Sequence, residues 1–441
     1  MNLFFARLIG TLESTEKMER RIVEEEERIV RYRQIEKSAE LQEYLDLKKK
    51  IESREFQQKK HNLIHTKYKS TATYQKLHVY KEMLHDKQLQ IYLDVEKSQR
   101  LKDYLEFRSS ENYIRMQSKR ELRNSLELRQ MYQFEHSKEY KAYLTYKDSK
   151  TPDKYRQLLE EISTDEFKRE HAFWSNPNRW KTTDEYQMEV RYKQLAVMPD
   201  IIFYLKQDVK QIEQKEQWKL TFSDEFDWLR LSDSAWRPGF VYQSPKLPAI
   251  HSFANEKQAN NGGKNVGAID GKMKIFTKEE KAIAPAWDSK LGFISKEYDY
   301  TSDIVQTAEK FRQQGGMFMA KLHVRGNIHH AFWLGSDKKL PLLSIFHYNG
   351  KHITLGNYTE KGFNGTVVRG ISPRNYYIYT LRWTKHELIW YVNNKEVFRT
   401  TNNIPQEKLY MAFSSFISEN QKGQEAQMHV AWVKVYSNPN M

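Results

Sequence analysis

Imidazole and aromatic side chains crowd into one stretch of this sequence: His323, His329, His330 and Trp333 fall within GGMFMAKLHVRGNIHHAFWLGS (315–336), and His347 and Tyr348 follow in LLSIFHY. Histidine changes charge near neutrality, so His347 is a candidate proton acceptor. A metal site would need several of these imidazoles to converge. His329 and His330 are neighbours, however, and neighbouring residues of a strand point to opposite faces, so one ion cannot use both, even with His323 close in sequence. We therefore expect no metal, and nothing in the sequence calls for a cofactor. Thiol chemistry is excluded because the chain contains no cysteine, which also removes disulfides and zinc–thiolate sites. Paired carboxylates are missing too, since Lys338 to Thr359 contains no Asp or Glu.

The elements that carry these residues read as strands. After Lys215 the sequence turns to short alternating apolar runs, KMKIF, MFMAKLHV, YIYTLRW, LIWYVN and HVAWVKVY, separated by Gly, Asn, Pro and Asp. So many strands with few helix signals predict two packed sheets in a jelly roll over residues 216–441. Trp383 and Trp390 lie within such runs and are expected in the core.

Residues 1–215 read differently. Between Glu13 and Gln217 the chain is rich in Glu, Lys, Arg, Gln, Leu and Tyr, and has Pro only at 152, 177 and 199, which predicts helix. Self-comparison aligns VRYRQIEKSAELQEYL (30–45), HVYKEMLHDKQLQIYL (78–93), RQMYQFEHSKEYKAYL (129–144) and VRYKQLAVMPDIIFYL (190–205) without gaps, at intervals of 48, 51 and 61 residues. Repeated helical units of this size are expected to stack on their neighbours in an elongated array. The fold class is thus a multidomain α and β chain, a helical repeat array followed by a β-sandwich.

A formal charge of +14 favours acidic partners, although the 58 acidic residues are interspersed with the 72 basic ones. A basic helical array suggests nucleic acid as an alternative partner, and the repeats a partner protein. The opening MNLFFARLIGTLESTEK is broken by Arg7 and lacks the frame of a signal peptide, and no window is apolar enough to span a bilayer.

The β half resembles the family 16 glycoside hydrolases, the laminarinase and carrageenase group of concanavalin A-like sandwiches. FSDEFDWLRLSDSAW (222–236) is similar to the family's entry strand, NVGAIDGKMKIFTKEE (265–280) to the segment that follows, and GGMFMAKLHVRGNIHHAFWLGS to its Gly-x-Phe-Glu-Ala-Arg and Ala-Phe-Trp-Leu strands. YYIYTLRWTKHELIWYVNNKEVFRT (376–400) and MHVAWVKVYS (428–437) resemble its closing strands.

The resemblance implies a retaining hydrolase that carries Glu-x-Asp-x-x-Glu on the strand after Ala-Phe-Trp-Leu, with two carboxyls about 5 Å apart. Here that strand reads LLSIFH, which puts Leu342 at the nucleophile, Ser344 at the helper and His347 at the acid/base position. Leucine cannot form a glycosyl-enzyme. Met319 and Lys321 stand where the family has Glu and Arg.

Catalysis is therefore expected to be lost while sugar binding remains, through aromatic faces and planar polar groups. By the resemblance Trp333, Ser344, His347, Lys321 and Met319 face the cleft. Trp236, His330 and Tyr348 are further candidates on sequence order. The expected function is a non-catalytic carbohydrate-binding or structural protein in a virion, a delivery machine or the cytoplasm. The alternative is an active hydrolase with relocated carboxylates.

Overall fold

A computed structural model describes residues 2–119, 125–242 and 247–440. The chain forms two compact units: residues 35–205 are one, and residues 1–34 join 206–441 in the other. The first 34 residues, grouped with the helical region on sequence, thus belong to the sandwich unit.

The described residues between 35 and 205 are largely helical, and their helices begin where short polar side chains take up the free backbone N–H groups. Ser38, Asp86 and Ser137 are such caps: each side-chain oxygen accepts the N–H of Leu41, Leu89 or Tyr140. All three occupy the same place in the repeat, and in the last copy Pro199 starts the helix instead. The repeated block is therefore the end of one helix, a break, and the start of the next.

Its apolar columns meet between copies in pairs. Ile35, Leu41 and Tyr44 of the first copy share a cluster with Leu195 and Ile201 of the fourth. Leu89 and Tyr92 of the second cluster with Ala142 and Tyr143 of the third. The Tyr44 and Tyr192 rings stack 5.2 Å apart, and those of Tyr92 and Tyr143 are 6.3 Å apart. Copies two and three, neighbours in sequence, pair as expected, but the chain doubles back on itself and the rest of the neighbour-on-neighbour array is corrected: copies one and four, far apart in sequence, pair because burial of their tyrosines requires a partner face.

The other unit is a sandwich of an eleven-stranded and a seven-stranded sheet, counted over the described residues. In the larger sheet Gly316–Arg325 lies between Tyr377–Trp383 and Ala426–Ser437. In the smaller, the order runs Gly362–Val368, Ile353–Thr359, Leu342–Asn349, His329–Gly335, Tyr410–Phe416, Ile304–Gln306, Arg237–Pro238. Strand alternation sends Phe318, Ala320, Leu322 and Val324 of one sheet against Phe332, Leu334, Leu343 and Phe413 of the other. Trp383 and Trp390 are buried in this core. Residues of the first segment complete it: Leu3, Ala6 and Leu12 belong to the same cluster.

Candidate functional site

The smaller sheet places its outward side chains by simple alternation, with one exception. Along His329–Gly335, His330, Phe332 and Leu334 turn inward, leaving His329, Ala331 and Trp333 outward. Along Leu342–Asn349 the pairing register slips between Ser344 and His347. The extra residue is a β-bulge in which Ile345 and Phe346 both enter the core. Leu342, Ser344 and His347 consequently share the outward face, and all three line one cavity of about 230 Å³.

Trp333 forms one wall of that cavity, with Phe240, Phe253 and Phe416 as further aromatic surface. Its indole N–H donates to the Ser414 hydroxyl at 3.3 Å, and its ring meets Tyr410 at 5.9 Å. Gly335 makes room for it: a Cβ there would fall 2.5 Å from the indole. On the floor the Ser344 side chain is buried and its hydroxyl has no hydrogen-bond partner among the described residues.

His347 is bonded to His329, Nε2 to Nδ1 at 2.8 Å, and Phe416 stacks on the His329 ring at 4.4 Å. Burial lowers both imidazoles to about 4, and for His347 the neighbouring His329 adds to it. At neutral pH the pair is uncharged, so between them one ring donates and the other accepts.

One carboxyl reaches the cavity, and it comes from another part of the chain. Glu256 sits in the turn between Ser252–Phe253 and Gln258–Asn260. Its Oε2 accepts the Phe253 N–H at 3.0 Å and the Gln258 amide at 2.9 Å. Burial nevertheless pushes this carboxyl up to about 7, against the lowering effect of those two bonds and of Lys296. Near neutrality it is therefore divided between acid and carboxylate. In an adjoining cavity of about 510 Å³, lined by Trp287, Phe293 and Tyr410, Asp337 accepts from Arg312 at 2.6 Å. The two acids line different cavities.

Five of the sequence candidates lie elsewhere. Met319 and Lys321 belong to the larger sheet and point away from the core, where alternation puts them under the helix Thr15–Glu36. Met319 packs with Met18, Ile378 and Trp432, while Lys321 donates to Glu19 at 2.7 Å. Trp236 is fully buried, its indole bonded to Asp224 at 2.8 Å and its ring against Phe413. Tyr348 is a core residue whose hydroxyl donates to the Gly350 carbonyl. His330 is fully buried on the inward side, where it bonds the Ser415 hydroxyl at 2.8 Å.

Residues missed on sequence are Glu256, Gln258, Asn260, Phe253, Tyr358 and Phe416. The first four sit in and around short strands of two or three residues, too brief to show a period.

No curated protein matches the chain. Among solved structures it is similar to the catalytic domain of an endo-1,3-beta-glucanase (laminarinase) from Thermotoga petrophila RKU-1, at 16% identity and TM-score 0.41, covering 51% of this chain and 99% of that one. The laminarinase from Flavobacterium sp. UMI-01 is 20% identical, TM-score 0.40, covering 50% and 100%. The kappa-carrageenase from Pseudoalteromonas carrageenovora is 16% identical, TM-score 0.38, covering 50% and 94%. Residues 332–434, which hold Trp333, the bulged strand and the closing strands, match the model of Glycosyl hydrolases family 16, and the sandwich of this chain is family 16 glycoside hydrolase-like.

Proposed function

We propose that the sandwich binds a polysaccharide in the cleft around Trp333 without cleaving it by the two-carboxylate route. One observation carries this reading: Leu342, Ser344 and His347 fill the bulged strand's cleft-facing positions, and Glu256 is the single carboxyl among the described residues of that cavity. A retaining mechanism needs a nucleophile and an acid about 5 Å apart. What remains suits recognition: an indole face for a sugar ring, and a neutral imidazole pair and the Ser344 hydroxyl for its OH groups.

The test is binding of soluble β-1,3-glucan and of κ-carrageenan to the full chain by calorimetry, together with reducing-sugar release. Binding of one of them that Trp333→Ala weakens at least about tenfold, corresponding to roughly 1.4 kcal/mol of lost stacking, supports the reading. Sugar release by the wild type overturns it.

A second reading has a specific observation in its favour, namely that the carboxyl of Glu256, poised near neutrality, lines the same cavity as the neutral His347. As general acid and base they would serve single-displacement hydrolysis: water attacks the anomeric carbon, His347 takes its proton, and Glu256 protonates the leaving oxygen. Under that reading the wild type releases sugar and Glu256→Gln does not. The helical unit is read as the part that displays the sandwich or meets a partner protein in a particle. Mass spectrometry of purified particles against cytosol tests that placement.

A further inference from the structure

The first residues form a short element whose inward and outward sides are both apolar. Leu3, Ala6 and Leu12 enter the sandwich core. Outward, Phe4, Phe5, Leu8 and Ile9 keep 54%, 64%, 73% and 70% of their surface exposed. The element is fixed in place. The Leu3 N–H donates to the Arg369 carbonyl at 2.8 Å, and the Leu12 N–H to that of Ala6 at 2.9 Å. Gly370, at φ +84°, lets the segment approach, because a Cβ there would lie 2.2 Å from the Phe4 nitrogen.

Polar residues at these four outward positions would leave the core unchanged, so burial within the fold does not account for them. Contiguous exposed apolar surface of this kind marks an interaction site. Its surroundings are cationic. Arg7 lies within the element and Arg369 holds it, and Arg325 and Arg374 line with Arg7 a cavity of about 650 Å³. All four guanidiniums belong to exposed residues, and none has a carboxylate partner among the described residues. Glu13 and Glu16 also line that cavity, but the Glu13 carboxylate is already paired with Arg21 at 3.1 Å.

We infer that Phe4, Phe5, Leu8 and Ile9, flanked by Arg7, Arg325, Arg369 and Arg374, insert into the headgroup layer of an anionic lipid surface. Protruding side chains need a partner that yields to them, which acyl chains do and a folded protein does only with a matching pocket. Unpaired arginines beside them match lipid phosphates. Apolar insertion and a basic patch together are the two signals that stable peripheral attachment requires. No described helix is long and apolar enough to cross a membrane, so the contact is peripheral.

The test is co-sedimentation of the full chain with vesicles of phosphatidylcholine and phosphatidylglycerol, against vesicles of phosphatidylcholine alone. Pelleting with the mixed vesicles only, falling as salt rises, is expected. It should be lost in Phe5→Asp/Leu8→Asp, and Arg369→Gln and Arg374→Gln should each weaken it about fivefold. An unchanged thermal midpoint for these exposed variants shows that the fold is intact. No pelleting, equal pelleting on phosphatidylcholine alone, or pelleting that survives the double substitution overturns the inference. So does a wild-type dimer in light scattering that the double substitution dissolves, since the patch would then be an interface between copies.

Discussion

Glu256 and the buried histidines of the two sheets set opposite pH dependences on the sandwich. A carboxyl raised to about 7 by burial favours folding while it is protonated, and that contribution is lost as pH rises through 7. Glu256→Gln should therefore raise the thermal midpoint at pH 8 relative to wild type and leave it nearly unchanged at pH 5. Calorimetry at the two pH values checks this, and an equal effect at both would show that the carboxyl is not buried. His323, His329, His347 and His429 are held near 4 and His330 near 3, in each case mainly by burial. Lowered imidazoles stabilise the fold above their ordinary value and lose that contribution as pH falls from about 6.5 toward 4. The wild type should unfold progressively over that window, and the midpoint measured across it is the check.

At this scale the sequence told half of the site. Trp333, Ser344 and His347 were given cleft-facing places by the resemblance, and alternation with one bulge is what holds them there. Met319 and Lys321 misled because the resemblance gave them cleft-facing places, whereas their strand lies in the larger sheet and turns them toward the helix Thr15–Glu36. Glu256 was invisible: a turn between two short strands has no periodicity, and its chemical importance comes from burial supplied by residues distant in sequence.

Among the elements, the bulged strand and the helix breaks do most to position side chains. The bulge holds Ile345 and Phe346 in the core while keeping Ser344 and His347 outside. Deleting Ile345 would remove the extra residue, so plain alternation would still keep Ser344 and His347 outward and Phe346 and Tyr348 inward, at the cost of one buried side chain. Cooperative unfolding in denaturant with stability lowered by about 2–5 kcal/mol is the expected result, and loss of cooperativity would refute the phase argument.

In the helical unit the tyrosine columns were legible as interfaces from their spacing. Which copies meet was not, since the pairing of the first with the fourth depends on the chain reversing. Tyr44→Ala and Tyr192→Ala should therefore be coupled by about 1 kcal/mol in a double-mutant cycle of denaturant unfolding, as stacked aromatic pairs are. Additive effects would argue against the contact.

For the whole molecule the telling fact is that the sandwich unit is discontinuous. The chain leaves it after Gln34 and returns at Lys206, and near the two ends of that gap Arg33 bonds Glu216 at 2.8 Å. Replacing residues 35–205 by a short Gly/Ser linker should thus leave a soluble sandwich. Residues 216–441 alone should aggregate, because the faces covered by Leu3, Leu12 and Met18 would be bare. Size-exclusion profiles of the two proteins decide it. The jelly roll itself was plain from its alternating runs, whereas a helix contributing to a β core has no signature in its own pattern.

The strand Ala426–Ser437 pairs on one side with Gly316–Arg325 and on the other with Met273–Asp288, so the middle of the larger sheet is made by the latest strand in chain order. During synthesis the inserted helices, whose clusters lie within residues 35–205, have all their partners while the ribosome is still translating the sheets. The opening residues must wait through some four hundred codons for Arg369 and Trp432 to emerge. Until then those apolar side chains lack their partner face, which is the condition that exposes a nascent chain to aggregation.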